Sequence, residues 1–97
     1  MEVRFASKNL EELECDAEAT GGFSPAIVKA FRKRMQFIRA APDERDFYAW
    51  KSLHFEKLEA RPEQHSMRLN GQFRLIIELE IEEHTKTVVI LGIEDYH

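Results

Sequence analysis

The sequence predicts a single α+β domain in which a short strand and two helices precede an antiparallel sheet. Its 97 residues suffice for one domain and are too few for two. Helical periodicity is confined to the first half of the chain, whereas the second half alternates or runs apolar as strands do. Because the helices follow each other in sequence instead of alternating with strands, we expect the α+β class and assign residues 1–97 to one domain.

The N-terminal region predicts a strand followed by a first helix. Residues 2–6 alternate between apolar and charged side chains, which is typical of a short strand. Asn9, with Glu12 three positions later, matches the spacing of a capping box and predicts the start of the helix. Gly21-Gly22 predicts its end.

The second helix has clearer boundaries. Ser24-Pro25 combines a capping hydroxyl with a proline suited to the first turn, and Pro42 predicts the end of the helical region. The predicted core face consists of Ile27, Phe31, Met35 and Ile38. Residues 43–53 are aromatic-rich and irregular, and we expect a short helical turn that packs on the core.

Asn70-Gly71 predicts a β-hairpin between two strand-like runs. The apolar residues on both sides of it occupy odd positions, namely Met67, Leu69, Phe73, Leu75, Ile77 and Leu79. A two-residue loop would place the two apolar sets on opposite faces, so we predict a three-residue loop with a bulge at Gly71. The other face then carries Ser66, Arg68, Gln72 and Arg74. Residues 87–91 form a nearly continuous apolar run that predicts a central C-terminal strand.

The composition excludes several classes of protein. No apolar run is long enough to cross a membrane, and the N-terminus lacks the apolar core of a signal peptide, so we expect a cytoplasmic protein without a membrane partner. The single cysteine, Cys15, excludes an internal disulfide framework and a multi-cysteine zinc site. The four histidines lack ligand spacing, so we expect neither a metal site nor a cofactor.

Charge is unevenly distributed along the chain. The net charge of −4 argues against a nucleic-acid binder when it is considered alone. However, residues 21–77 hold eleven basic and six acidic side chains, whereas residues 1–20 have a net charge of −4 and residues 78–97 of −5. The cationic middle could contact phosphates, although blocks of this size also occur as ordinary surface variation.

Several cationic and titratable residues are expected around the sheet: His54, Lys57, Arg68, Arg74, Tyr96 and His97. Cleavage of a phosphodiester needs an acceptor for the proton of the attacking hydroxyl, cations for the charge on phosphate and a donor for the leaving oxygen. Structural roles stay open as alternatives, because the arginines could pair with glutamates of a neighbouring strand and the lysine could be a solvated surface charge.

Three segments resemble the HigB-type plasmid-maintenance killer toxins of the RelE/ParE superfamily: SLHFEKLE at 52–59, QHSMRLNGQFRL at 64–75 and DYH at 95–97. The resemblance implies a RelE-like, microbial-ribonuclease-like fold. It implies a toxin of a type II toxin–antitoxin system that enters the ribosomal A site, cleaves mRNA there without metal, inhibits translation and arrests growth. It also implies a cognate HigA-type antitoxin with a helix-turn-helix, through which the complex binds operator DNA.

The resemblance also implies roles for individual residues. Those that match its catalytic positions are Lys57, Arg68, Arg74, Tyr96 and His97. Those that match RNA-contacting positions are His54, Arg61 and Asp95. Two other functions remain as alternatives: a non-enzymatic toxin that poisons DNA gyrase, and a decayed toxin that only binds its antitoxin.

Overall fold

The computed structural model describes residues 1–95, and Tyr96 and His97 lie outside the described residues. The elements are β1 Glu2–Phe5, α1 Lys8–Cys15, α2 Pro25–Ala40, α3 Arg45–Ala49, a 3₁₀ turn at Lys51–Leu53, β2 Glu56–Lys57, β3 Gln64–Arg68, β4 Phe73–Glu82 and β5 Thr85–Asp95. The five strands form one sheet in the order β1-β5-β4-β3-β2. Only β1 and β5 pair in parallel. The predicted α+β class is therefore confirmed, with a mixed sheet. Within the described range, no helix is both long and apolar enough to cross a membrane.

The first helix begins and ends earlier than its sequence pattern predicts. Ser7 is the N-cap, and its hydroxyl accepts a hydrogen bond from the amide of Leu10, whereas Asn9 lies inside the helix. The helix ends at Cys15. Gly21 and Gly22 instead form the turn before α2, where both have positive φ values of 58° and 83°. Ser7 and Asn9 are both good caps, so the pattern alone could not choose between them.

The second helix follows its predicted boundaries. Ser24 accepts a hydrogen bond from the amide of Ile27, Pro25 occupies the first turn, and the helix ends at Ala40. All four predicted core residues of this helix are buried. The predicted helical turn within 43–53 is also confirmed, since α3 and the 3₁₀ turn bury Phe47 and Leu53 against the same core.

The hairpin has the predicted register but a different loop geometry. Met67 pairs with Leu75, and Arg68 pairs with Arg74, so odd positions face odd positions across a three-residue loop at 70–72. The predicted bulge at Gly71 is wrong, because β3 and β4 pair without a register shift. Asn70 closes the loop instead. Its Oδ1 atom accepts hydrogen bonds from the amides of residues 72 and 73 over 2.8 and 2.7 Å.

A bulge in β5 changes which side chains face the helices. Ile90 pairs with Ile77 and Gly92 pairs with Ile76, which leaves Leu91 without a partner in β4. Before the bulge, the even-numbered residues of β5 contribute to the core. After it, Ile93 packs against the core, and the even-numbered residues turn to the other face of the sheet.

We call the side of the sheet opposite the helices the open face. It carries Arg68, Arg74 and the even-numbered end of β5. Part of it is nevertheless buried, since Ser66 is 1% exposed and Arg74 is 7% exposed. The loop at 58–63 folds back on β3 through two backbone hydrogen bonds and lies over this region.

Candidate active site

A cleft of about 320 Å³ lies where the hairpin meets the start of β2. Its walls are formed by His54, Glu56, Arg68, Asn70, Gly71 and Arg74. Three of the residues that the sequence nominates therefore lie together, namely His54 and the two arginines. The antiparallel pairing of β3 with β4 places the arginines directly opposite each other on the open face.

His54 contacts both arginines through different parts of the residue. It adopts a left-handed conformation, with φ 48° and ψ 46°, which is uncommon for a residue other than glycine. Its carbonyl oxygen accepts a hydrogen bond from Nη2 of Arg74 over 2.6 Å. Its ring nitrogen Nε2 lies 3.5 Å from Nη1 of Arg68. Because guanidinium groups only donate, this contact is a hydrogen bond only in the tautomer whose Nε2 carries the lone pair.

The two arginines have different environments. The side chain of Arg74 is only 9% exposed, and its guanidinium lies 3.6 Å from the carboxylate of Glu56. Arg68 is exposed, and its Nε atom donates a hydrogen bond to the carbonyl of Asn70 over 3.2 Å. The cleft thus combines one cation fixed within the protein and one cation that an incoming anion can reach.

Lys57 does not line this cleft. It pairs with His65, whereas its neighbour Glu56 pairs with Ser66. Paired residues of antiparallel strands share a face, so Lys57 lies on the side of His65 and Phe55. The rings of these two residues stack with their centroids 4.9 Å apart. Burial and the nearby charge of Lys57 lower the pKa of His65.

Arg61 and Asp95 border a smaller cavity of about 140 Å³ that shares Arg74 with the cleft. Arg61 forms a bidentate ion pair with Glu94, in which both distances are 2.8 Å. Hydrogen bonding within this pair lowers the pKa of Glu94 and raises the pKa of Arg61. The carboxylate of Asp95 accepts a hydrogen bond from the side-chain Nε2 of Gln72 over 3.0 Å. Tyr96 and His97, the remaining nominated residues, lie outside the described residues.

Sequence reasoning missed Glu56 and Asn70 as part of the site. The position of Glu56 on the open face can be predicted once β2 is known to be a strand, because alternate residues of a strand point to opposite faces. A two-residue strand carries no periodicity that could reveal it. Asn70 was recognisable as a turn residue, but its carbonyl contact with Arg68 depends on the three-residue loop.

The two guanidinium groups of the cleft suit an anion. One imidazole and one carboxylate line the cleft beside them. Across residues 1–95, no three side chains among His, Cys, Asp and Glu converge as metal ligands would. Guanidinium groups match the oxygens of a phosphate in charge and in hydrogen-bond geometry.

The family model of HigB-like toxins, the RelE-like toxins of the type II toxin–antitoxin system HigB, matches residues 3–97. The chain belongs to this family. The resemblance noted in the sequence is thereby confirmed for nearly the whole HigB-like toxin. No curated protein matches it. Cleavage of mRNA and inhibition of translation are typical of the family, and a type II toxin–antitoxin system implies an antitoxin partner.

A solved structure supports the fold of this HigB-like toxin. The YoeB/ParE toxin from Agrobacterium tumefaciens matches it with a TM-score of 0.61 over 100% of both chains. The two sequences are only 12% identical, so the likeness extends to the fold alone. The predicted RelE-like fold is confirmed.

Proposed function

We propose that this HigB-like toxin is a ribosome-dependent endoribonuclease that cleaves translated mRNA in the A site and needs no metal ion. The observation that supports the proposal best is the pairing of Arg68 with Arg74 on the open face, with His54 between them and the cleft in front. Two adjacent guanidinium groups are suited to the extra charge that a phosphate carries in the transition state of cleavage.

In the proposed reaction, the 2′-hydroxyl of the nucleotide attacks the adjacent phosphorus. The bond from phosphorus to the 2′-oxygen forms, and the bond to the 5′-oxygen of the next nucleotide breaks. A base takes the proton of the attacking hydroxyl, and an acid gives a proton to the leaving oxygen. Arg74 would stabilise the phosphate from a fixed position, and Arg68 would approach it from the solvent side.

We propose Tyr96 and His97 as the groups that transfer these protons. β4 and β5 pair Phe73 with Asp95, so the chain leaves β5 beside the hairpin that carries the arginines. His54 is a further candidate for contact with RNA, since its ring faces the cleft. Lys57, which matches a catalytic position of the family, lies on the other side of the sheet from the arginines. We propose that it contacts the RNA outside the cleft.

The electrostatics of the site supports dependence on the ribosome. Arg61 pairs with Glu94 and Arg74 lies near Glu56, so little positive charge around the cleft is available to attract free RNA. Arg61 and Asp95, proposed to contact RNA, would have to rearrange their present hydrogen bonds to do so. An mRNA that the ribosome already holds in place needs less attraction from the toxin itself.

We further propose that the toxin acts in the cytoplasm, where inhibition of translation arrests growth. Its antitoxin would be a HigA-type protein with a helix-turn-helix, and the complex would bind operator DNA through that antitoxin. An adjacent reading frame for such a protein would support this part of the proposal.

The proposal is tested by incubating the purified toxin with mRNA, either free or on translating ribosomes, and mapping the new 5′ ends. We expect cleavage only on ribosomes, unchanged by EDTA at concentrations that leave the ribosomes intact. Arg68→Ala should reduce the rate by roughly 10²-fold. Lys51→Ala, which removes an exposed cation away from the cleft, should have no effect.

Intact mRNA together with inhibited DNA supercoiling by gyrase would contradict the proposal and favour a gyrase poison. A toxin that binds its antitoxin but inhibits neither process would be a decayed one.

A further inference from the structure

A groove of about 390 Å³ runs along α2 on the helical side of the molecule, away from the cleft. Its walls are Ala17, Ala19, Thr20, Pro25, Val28, Lys29, Arg32, Lys33 and Gln36. The floor is apolar, since small side chains and Val28 form it, and the rim carries three cations. No acidic residue lines it.

Arg32 fixes the wall of this groove. Its guanidinium donates hydrogen bonds to the carbonyls of Leu13, Asp16 and Ala19, over 3.0, 2.8 and 3.3 Å. These carbonyls lie at and beyond the C-terminus of α1, where backbone acceptors lack helical partners. Arg32 therefore holds the segment at 16–20 against α2. Within that segment, the carboxylate of Asp16 accepts a hydrogen bond from the backbone amide of Glu18.

The charge of α2 is unusual for a surface helix. Its 16 residues include Lys29, Arg32, Lys33, Arg34 and Arg39 but no aspartate or glutamate. Lys29 and Lys33 are one turn apart, and like charges at this spacing repel each other. Among residues 1–95, neither lysine lies within 4.0 Å of a carboxylate.

We propose that this groove binds an acidic, amphipathic segment of the antitoxin, with apolar side chains on the floor and carboxylates on Lys29 and Lys33. Carboxylates one turn apart on a helix have the spacing of the two lysines, and the apolar floor matches the helix-in-groove mode of recognition. RNA fits less well, because the lining offers no aromatic ring on which a base could stack. The inference rests on the membership of the toxin family and does not require the proposed nuclease activity.

The test is a titration of the full-length toxin with the purified antitoxin of its own operon at two salt concentrations. Lys29→Glu/Lys33→Glu should weaken the complex at least 10-fold at low salt and reduce its salt dependence. Lys8→Glu/Lys51→Glu is the matched control, because it changes the net charge equally outside the groove. Both variants should keep their circular dichroism spectra and their ribosome-dependent cleavage.

Exchange of acidic residues for lysine in the antitoxin segment should restore binding to Lys29→Glu/Lys33→Glu. Equal affinity of the wild-type and groove variants for the antitoxin would overturn the proposal. The proposal would also be overturned if Lys29→Glu/Lys33→Glu bound the antitoxin as the wild type does but no longer bound a single-stranded RNA oligonucleotide. That result would make the groove a nucleic-acid surface. A wild-type toxin without nuclease activity would contradict the proposed function but would not affect this inference.

Discussion

Arg74 donates a hydrogen bond from Nη2 to the backbone carbonyl of His54 over 2.6 Å. The most buried cation of the cleft is thus held by a residue in a left-handed conformation. A non-glycine residue pays a conformational free-energy cost to adopt this backbone, and such costs persist only where the surrounding structure imposes them. The backbone at residue 54, and not only its side chain, therefore determines where the guanidinium of Arg74 lies.

The first prediction separates the backbone of His54 from its imidazole. His54→Gly should fold with nearly unchanged stability, because glycine adopts the left-handed conformation without strain. His54→Val should lower the free energy of unfolding by about 1–2 kcal/mol, because a β-branched residue is disfavoured there. Urea denaturation measures both. An equal loss of stability in the two variants would indicate that the imidazole contact, and not the backbone, holds the site.

The second prediction compares the two arginines. Arg74→Met should lower the free energy of unfolding by about 1–3 kcal/mol, since it leaves the carbonyl of His54 without its donor. Arg68→Met should change it by less than about 0.5 kcal/mol, because Arg68 is exposed. If both contact the phosphate, each variant should lose roughly 10²-fold in cleavage rate on ribosomes. Full activity in Arg74→Met would restrict that residue to a structural role.

The placement of both arginines on the open face can be predicted from the sequence, because the alternation of apolar residues in the hairpin determines it. The odd-numbered apolar residues fix the register, and the register places Arg68 opposite Arg74. The burial of Arg74 could not be predicted in the same way. It depends on the loop at 58–63 and on the carbonyl of His54, which are tertiary contacts without a local pattern.

The position of Lys57 could not be predicted from the sequence. The match to a family motif implies a role for Lys57, but the face on which Lys57 lies depends on the pairing of β2 with β3. The structure places Glu56, not Lys57, beside Arg74. Parity would give this result only once the two-residue strand was known, and nothing in the sequence marks that strand.

The charge distribution along the sequence also has a structural explanation. Acidic residues of both chain ends pair with cations of the middle, as Glu14 does with Arg39 and Glu94 with Arg61. The segment charges therefore overstate the positive surface of the folded protein. Lys29 and Lys33, on the rim of the groove along α2, are among the cations of the middle segment that have no carboxylate within 4.0 Å in residues 1–95.

The third prediction concerns Glu94, whose carboxylate forms an ion pair with the guanidinium of Arg61. Glu94→Gln should free this cation and strengthen ribosome binding several-fold, with a steeper salt dependence, because one more charge can contact phosphate. Glu80→Gln is a matched control, since Glu80 pairs with Arg4 at a distant part of the same sheet. Stability should fall by less than about 1 kcal/mol, because both side chains of the pair are partly exposed. Binding that is unchanged in Glu94→Gln would argue against a contact between Arg61 and RNA.

The last prediction concerns the pH dependence of stability, which His65 should dominate near neutral pH. Burial and the charge of Lys57 lower its pKa from the ordinary value of 6.5, so the unfolded chain binds more protons than the folded protein just below that pH. The free energy of unfolding should therefore be highest above pH 7 and decrease as the pH falls through 6.5 towards the lowered pKa. His65→Phe keeps a ring against Phe55 and should flatten this slope, whereas His84→Gln, in the exposed β4–β5 turn, should not. Urea denaturation between pH 5 and 8 measures the slopes, and equal slopes in the wild type and His65→Phe would assign the effect to another group.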